Sequence, residues 1–128
     1  MTYQFKLLND RPVLLNTLGP RLSGDEISQM AADTAPWLDR MNGRVYYLVD
    51  ARQVHMDLDD VIRAAVAATH GDNPVLLHAQ LIDTLLVTTD PLLVRAARSM
   101  NSPLFRNLHV RVFPVLDDAL TYVDSQAS

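Results

Sequence analysis

Short apolar runs alternate along this chain with longer segments in which apolar residues recur every three or four positions. The clearest short run is 45–49, whose β-branched and aromatic residues favour a strand. The segment near 57–70 has apolar residues at helical spacing, namely Leu58, Val61, Ile62, Ala65 and Val66. Because alternating strands and helices are joined by crossover connections, the pattern predicts an α/β fold with a mostly parallel sheet.

An opening hairpin and two later strands complete the predicted order. Residues 2–8 and 12–17 are apolar runs separated by the turn-prone Asn9-Asp10-Arg11, which predicts two antiparallel strands. Further strands are expected at 81–87 and 109–113, each followed by a helix. The predicted order is β-β-α-β-α-β-α-β-α, with about five strands and about four helices.

Local signals mark the ends of the first predicted helix. Ser23 and Glu26 have the spacing of a capping box, and Asn42-Gly43 would stop the helix near residue 42. Pro36 should kink or split this helix, because proline removes a backbone donor and clashes with the preceding turn.

The later helices have signals of the same kind. Gly71 should end the second helix, before a loop at Asn73-Pro74. Asp90-Pro91 offers an N-cap followed by proline at the first helical position, and Asp117 can cap a short last helix.

Composition excludes several classes of protein. The length of 128 residues fits one domain, 1–128, and the 48% hydrophobic content is typical of a globular chain. With no cysteine there is no disulfide, thiolate metal site or cysteine nucleophile. The net charge of −4 and the scattered basic residues argue against nucleic-acid binding. No apolar run is long enough for a membrane span and no signal peptide is evident, so we expect a cytoplasmic protein.

Three pieces of the sequence, taken with the element order, resemble a known superfamily. They are the third strand at 45–50, the acidic start of the next helix at 57–60, and the closing segment 110–123, in which two acids precede Ala-Leu. In this order they are similar to the STAS superfamily, whose best-known members are anti-sigma-factor antagonists of the SpoIIAA type. The resemblance covers nearly the whole chain and implies a STAS-like domain.

The resemblance also implies a function. STAS proteins are generally not enzymes; they bind a partner kinase, regulate sigma factors or sit in larger assemblies, often as dimers. Their switch is a serine or threonine at the start of the helix after the third strand. Here that helix begins Asp57-Leu58-Asp59-Asp60, and no hydroxyl residue lies between Asp50 and Thr69. We therefore expect no phosphorylation switch, since Asp59 would imitate a phosphoserine only in part.

The acidic region around the second helix has two interpretations. Asp50 ends a strand, and Asp57, Asp59 and Asp60 open the following helix, with His55 in the segment between them. Such residues meet at the carboxyl edge of a parallel sheet, where they could bind a partner or a cation. The simpler interpretation is that the acids cap and charge the helix N-terminus.

Metal, cofactor and nucleophile motifs are absent from the sequence. The combination His55-x-Asp57 supplies too few ligands to bind a metal. The sequence also has no glycine-rich loop of the kind that binds a nucleotide cofactor. No serine lies in a nucleophile elbow. Thr88-Thr89-Asp90 joins a strand to a helix start that could hold an anion, although capping by Asp90 explains the same residues.

Several residues are candidates for an interface. Neighbouring strand residues face opposite ways, so we expect only one of Tyr46 and Tyr47 to enter the core, leaving Tyr46 for a dimer contact. His109 and Arg111 alternate on one strand and are expected to share a face that is not a dry core.

These features favour a non-enzymatic module that binds a protein partner, such as an anti-sigma-type kinase, or a second copy of itself. The alternative is a small-molecule or lipid carrier, or a weak enzyme, with a pocket at the strand ends around Asp50, Thr88 and Thr89.

Overall fold

The computed structural model of the chain describes residues 2–70 and 75–127. Its elements are β1 (Tyr3–Leu7), β2 (Val13–Leu18), α1 (Gly24–Asp39), β3 (Val45–Asp50), α2 (Leu58–Thr69), β4 (Leu81–Val87), α3 (Pro91–Ser99), β5 (Val110–Phe113) and α4 (Leu116–Ala127). Short 3-10 helices occur at Val75–Leu77 and Pro103–Phe105. The expected stop at Gly71 and the loop at Asn73-Pro74 lie outside the described residues.

The strands form one sheet in the order β1-β2-β3-β4-β5. β1 and β2 pair antiparallel, whereas β2 with β3, β3 with β4, and β4 with β5 pair in parallel. The short turn between β1 and β2 reverses the chain, and each later strand is reached through a helix that crosses over the sheet. The predicted α/β architecture, with its opening hairpin and parallel remainder, is confirmed.

Helices cover both faces of the sheet. In β3, Val45 and Tyr47 pack on the side of α1, while Tyr46 and Leu48 pack on the side of α4. The prediction that only one of the two neighbouring tyrosines is buried was wrong. Tyr46 is buried as fully as Tyr47, because α4 covers the opposite face and its Tyr122 ring meets the Tyr46 ring edge-on. Tyr46 is therefore not available as a surface contact of this chain.

The predicted helix starts are largely confirmed. Ser23 forms both halves of a capping box with Glu26 at the start of α1. Asp57 and Asp90 cap α2 and α3, and Pro91 follows Asp90 at the first helical position. Asp117 is not a cap, because α4 begins one residue earlier and places Asp117 inside its first turn.

Pro36 does not divide α1. The helix continues past it to Asp39, short of the predicted stop near residue 42. The last turn contains Leu38, which is completely buried against the sheet. Burial of this side chain holds the turn in helical form even though proline removes one hydrogen bond.

No helix in the described part of the chain combines the length and the apolar character needed to cross a membrane.

The contribution of the Ser23 cap to the stability of α1 can be measured by substitution. We expect Ser23→Ala to lower the free energy of unfolding by about 1 kcal/mol, since the Glu26 N–H at the start of α1 loses the Ser23 hydroxyl as its acceptor. Ser28→Ala is the matched control, because Ser28 is exposed in the interior of the same helix; it should change stability by less than about 0.5 kcal/mol. Urea unfolding followed by circular dichroism measures both, and equal losses would contradict the capping role.

Candidate functional site

A polar pocket lies where β2 and β3 end and α1 and α2 begin. Its volume is about 330 Å³, and it is lined by Arg21, Leu22, Ser23, Glu26, His55, Asp57 and Asp60. The two loops that form it are joined by a short parallel bridge between Arg21 and His55, in which the His55 N–H donates to Pro20 O over 2.8 Å. The pocket is therefore at the carboxyl edge of the parallel strands, where ligands of such sheets usually bind.

The carboxylates of this strand-end pocket already have local partners. Asp57 Oδ1 accepts from the Asp60 N–H at 2.9 Å, which caps α2. Glu26 accepts from the Thr2 hydroxyl and from the Ser23 N–H, and these bonds lower the pKa of Glu26. Both acids thus stabilise helix starts, as the simpler sequence interpretation holds, and each keeps lone pairs directed elsewhere.

The geometry of the pocket does not favour a metal. Among the described residues no group of three or more histidine, aspartate or glutamate side chains is arranged to hold a metal ion. The pocket can instead offer hydrogen-bond acceptors to a basic group, beside the cationic Arg21.

Asp50 does not line the strand-end pocket. It is buried at the end of β3, where Arg52 Nε and Nη2 donate to its two carboxylate oxygens, each over 2.9 Å. These bonds from the Arg52 side chain hold the pKa of Asp50 below its ordinary value, although burial acts in the opposite direction. The acids named in the sequence therefore separate into two places, with Asp50 paired internally and Asp57 at the pocket.

Helix α2 turns part of its apolar side to solvent. Val61, Ala65 and Thr69 are buried. Leu58, Ile62 and Val66 are 58%, 49% and 44% exposed, and their spacing of four residues places them on one face of the helix. We call these three residues the α2 stripe. The apolar spacing in the sequence predicted the helix but not which of its apolar residues are buried.

The surroundings of the α2 stripe are partly apolar and partly acidic. The two 3-10 helices contact α2, and each has one exposed leucine, Leu77 and Leu104. At the other end, Asp57 and Asp59 are exposed at the helix start. His55 and Asp57 of the strand-end pocket are thus next to the beginning of the stripe in the chain.

The candidate anion site at the start of α3 is occupied by the protein's own carboxylate. Asp90 Oδ1 accepts from the Leu92 N–H at 2.9 Å, and the Asp90 N–H donates to Thr88 Oγ1 at 3.1 Å. Thr88 is buried and Thr89 is exposed. An anion here would meet the negative charge of Asp90, so capping accounts for these residues and anion binding does not.

The candidate interface on the last strand is engaged within the chain. Arg111 Nε donates to Asp83 Oδ2 at 2.8 Å, and its guanidinium lies over the Tyr122 ring of α4, 5.0 Å from the ring centroid. His109 immediately precedes β5, which begins at Val110, and both His109 and Arg111 are exposed, so neither side chain lies in the dry core.

Asp60 was among the acids expected at this edge of the sheet, but sequence reasoning missed Arg21 and Glu26 of the strand-end pocket. Glu26 was recognised only as part of a capping box, and Arg21 stands alone after a turn. The signal that could have grouped them was the pairing of β2 with β3, because adjacent parallel strands bring their following loops together.

The comparisons with known proteins concern the fold. No family model matches the chain, and no curated protein matches it either. An uncharacterised protein of the DUF3478 family from Shewanella loihica, with a SpoIIAA-like fold, superimposes with a TM-score of 0.60 at 16% identity, over 94% of this chain and 91% of the other. An anti-sigma factor antagonist from Mycobacterium paratuberculosis gives a TM-score of 0.47 at 18% identity, over 96% and 93%.

The first of these comparisons shows that the chain has a SpoIIAA-like, STAS-type fold, as its sequence resemblance implied.

The ion pair between buried Asp50 and the partly exposed Arg52 should make the stability of the protein depend on pH. Because the pKa of Asp50 is lower in the folded protein than in the unfolded chain, its contribution to stability is present above the unfolded pKa of about 4 and is lost as pH falls through the folded value. We expect Asp50→Asn to lower the free energy of unfolding by about 1–3 kcal/mol at pH 7, and by progressively less as pH falls through the folded pKa of Asp50.

Asp118→Asn is the control, since Asp118 is exposed in the first turn of α4. It should change stability at pH 7 by less than about 1 kcal/mol. Urea unfolding at several pH values measures both variants. A loss for Asp50→Asn that stayed constant down to pH 2 would contradict the ion-pair account.

Proposed function

We propose that this SpoIIAA-like chain is a single, non-enzymatic protein-binding domain that docks a partner through the α2 stripe. The observation that supports the proposal is the exposure of Leu58, Ile62 and Val66 on a helix whose buried residues are Val61, Ala65 and Thr69. Isolated exposed apolar residues are common on proteins. Three large ones in a row along one helix face are less so, and they suit insertion into an apolar groove.

Charge next to the stripe limits the chemistry of the partner. Asp57, Asp59 and Asp60 lie at the start of α2, and Arg63 is the basic residue within that helix. A complementary partner has an apolar groove with basic side chains at the end that meets the helix start. The opposite charges would speed association and orient the helix in the groove.

The SpoIIAA-like fold agrees with this surface. In proteins of that type the helix after the third strand bears the regulatory serine or threonine, and α2 is the corresponding helix. This chain has no hydroxyl residue between Asp50 and Thr69. We therefore propose constitutive binding of a bacterial regulator in the cytoplasm, an anti-sigma-type kinase being the family's precedent.

The proposal includes that the protein catalyses no reaction. Asp57 and Glu26 of the strand-end pocket cap helices, and Asp50 is paired with Arg52. Acids held in this way serve structure and charge complementarity, and neither requires proton transfer. Neither the strand-end pocket nor the cavity between the sheet and the layer of α1, α2 and α3 is lined by Asp50, Thr88 or Thr89.

Substitution in the middle of the α2 stripe tests the proposal. We expect Ile62→Glu to remove the partner recovered by affinity capture from the native cell and to weaken its binding, once purified, by about 30-fold or more, since a charge would be buried in an apolar contact. The stability of the variant should change by less than about 0.5 kcal/mol, because Ile62 is 49% exposed.

Val115→Glu is the matched control, because Val115 is 45% exposed outside the stripe. It should leave capture and affinity unchanged. Sedimentation velocity on the purified chain tests whether the partner is a second copy of the same chain. A dimer that dissociates in Ile62→Glu would show that the stripe binds another copy of the chain and not a different protein. Equal capture by the two variants, or a large loss of stability in Ile62→Glu, would overturn the docking role of α2.

A further inference from the structure

A second cavity lies inside the molecule, between the sheet and the layer formed by α1, α2 and α3. Its volume is about 150 Å³, and its walls are almost entirely aliphatic. Every side chain that lines it is buried or half-buried. Val49, Leu86 and Val110 form part of the floor on three adjacent strands, and all three remain half-buried although they face the helical layer.

The cavity exists because α2 turns small side chains toward the sheet. Ala64, Ala65, Ala67 and Ala68 line it, and the larger Leu58, Ile62 and Val66 of the same helix point to solvent. Two further alanines, Ala96 and Ala97, come from α3. Methyl groups cannot reach across the space that separates a helix from the sheet, so a gap remains that an empty protein would retain at a cost in stability.

One end of the cavity is polar. The walls there include Tyr47 and Thr34, and the Thr34 hydroxyl donates to Met30 O at 2.7 Å. Burial raises the pKa of Tyr47, so its hydroxyl keeps its proton. Asn16 Nδ2 donates to that hydroxyl at 2.9 Å.

The hydrogen bonding at this end is incomplete. Asn16 is fully buried, and its Oδ1 has no partner among the described residues. Turning the amide over would exchange the two atoms but would still leave one of them unpaired. Asn16 does not itself line the cavity, so an occupant would meet this network only at the hydroxyl groups of Tyr47 and Thr34.

The other side chains that line the cavity indicate that an occupant is uncharged. No Asp, Glu, Lys, Arg or His side chain lines this cavity, so an ion would be buried without a counter-charge. Apolar cavities of about 150 Å³ exclude water and accept a molecule as large as benzene.

We propose that the cavity binds a small uncharged molecule with an aromatic or branched aliphatic body and a single hydroxyl group, which is directed at Tyr47 and Thr34. The apolar body fills the space left by the alanines of α2, and the hydroxyl forms hydrogen bonds with the Tyr47 and Thr34 hydroxyls at the polar end. This ligand site is on the inner side of α2, whereas the protein-docking stripe is on its outer side.

Three probes test the chemistry: p-cresol, toluene and the charged 4-methylbenzoate. Each is titrated into the full chain while methyl NMR spectra and thermal unfolding are recorded. We expect p-cresol to bind most tightly, toluene more weakly and 4-methylbenzoate not at all, with shifts at the methyl groups of Ala65, Ala97 and Val49. Tyr47→Phe should weaken p-cresol by about tenfold and change toluene binding by less than about threefold.

Filling the cavity tests its location. Ala65→Leu places a larger side chain in the space and should abolish binding of both p-cresol and toluene. Ala32→Leu is the control, because Ala32 is exposed on α1 and does not line the cavity; it should bind both probes as the original chain does. If Ala65→Leu fails to fold, Ala97→Val is measured in its place.

The proposal is overturned if neither p-cresol nor toluene binds the original chain at millimolar concentration, or if binding persists in the folded cavity-filling variant. It is also overturned if 4-methylbenzoate binds as well as p-cresol. None of these results bears on the α2 stripe, whose test uses a different set of variants.

Discussion

The central strand β3 must be apolar on both of its faces, and the rest of the structure depends on this. Four consecutive residues, Val45 to Leu48, are buried, which is possible only if helices cover both sides of the sheet. Crossover connections place α1, α2 and α3 on one side, so α4 at the end of the chain covers the other. Tyr46 is buried by this arrangement, and Arg111 is drawn into contact with α4.

The acids of the chain serve mainly to join these layers. Asp57 and Asp90 begin helices that follow buried strands, and Asp50 secures the end of β3 through Arg52. A carboxylate in such a position stabilises a helix start or a loop whether or not it meets a ligand. The acidic character of residues 50–60 is therefore explained by structure first, and the charge it leaves on the surface at the start of α2 is what a partner would meet.

Helix α2 links the two proposals. A helix in this fold would ordinarily direct its large side chains at the sheet, but here alanines face inward, while Leu58, Ile62 and Val66 face outward. One placement of side chains thus produces both an external apolar stripe and an internal apolar cavity.

How much of this molecule could be predicted from its sequence differs between the fold and the site. Periodicity identified the strands and helices, and the cap signals at Ser23 and Asp90 were confirmed. Pro36 and Asp117 were misjudged, because buried Leu38 sustains α1 past the proline and α4 starts at Leu116. Of the candidate site residues, His55 and Asp57 lie together in a pocket, while Asp50, Tyr46 and Arg111 have internal partners.

The sequence by itself determined the α/β class, the order of the elements and the hairpin, because alternation of polarity and local capping depend on neighbours in the chain. Only the tertiary structure decided which face of α2 meets the sheet and which loops share a pocket. The apolar residues of α2 occupy more of the helix surface than contact with the sheet can bury. Whether Ala65 or Ile62 is buried depends on how α2 packs against the sheet and the neighbouring helices, which no local pattern records.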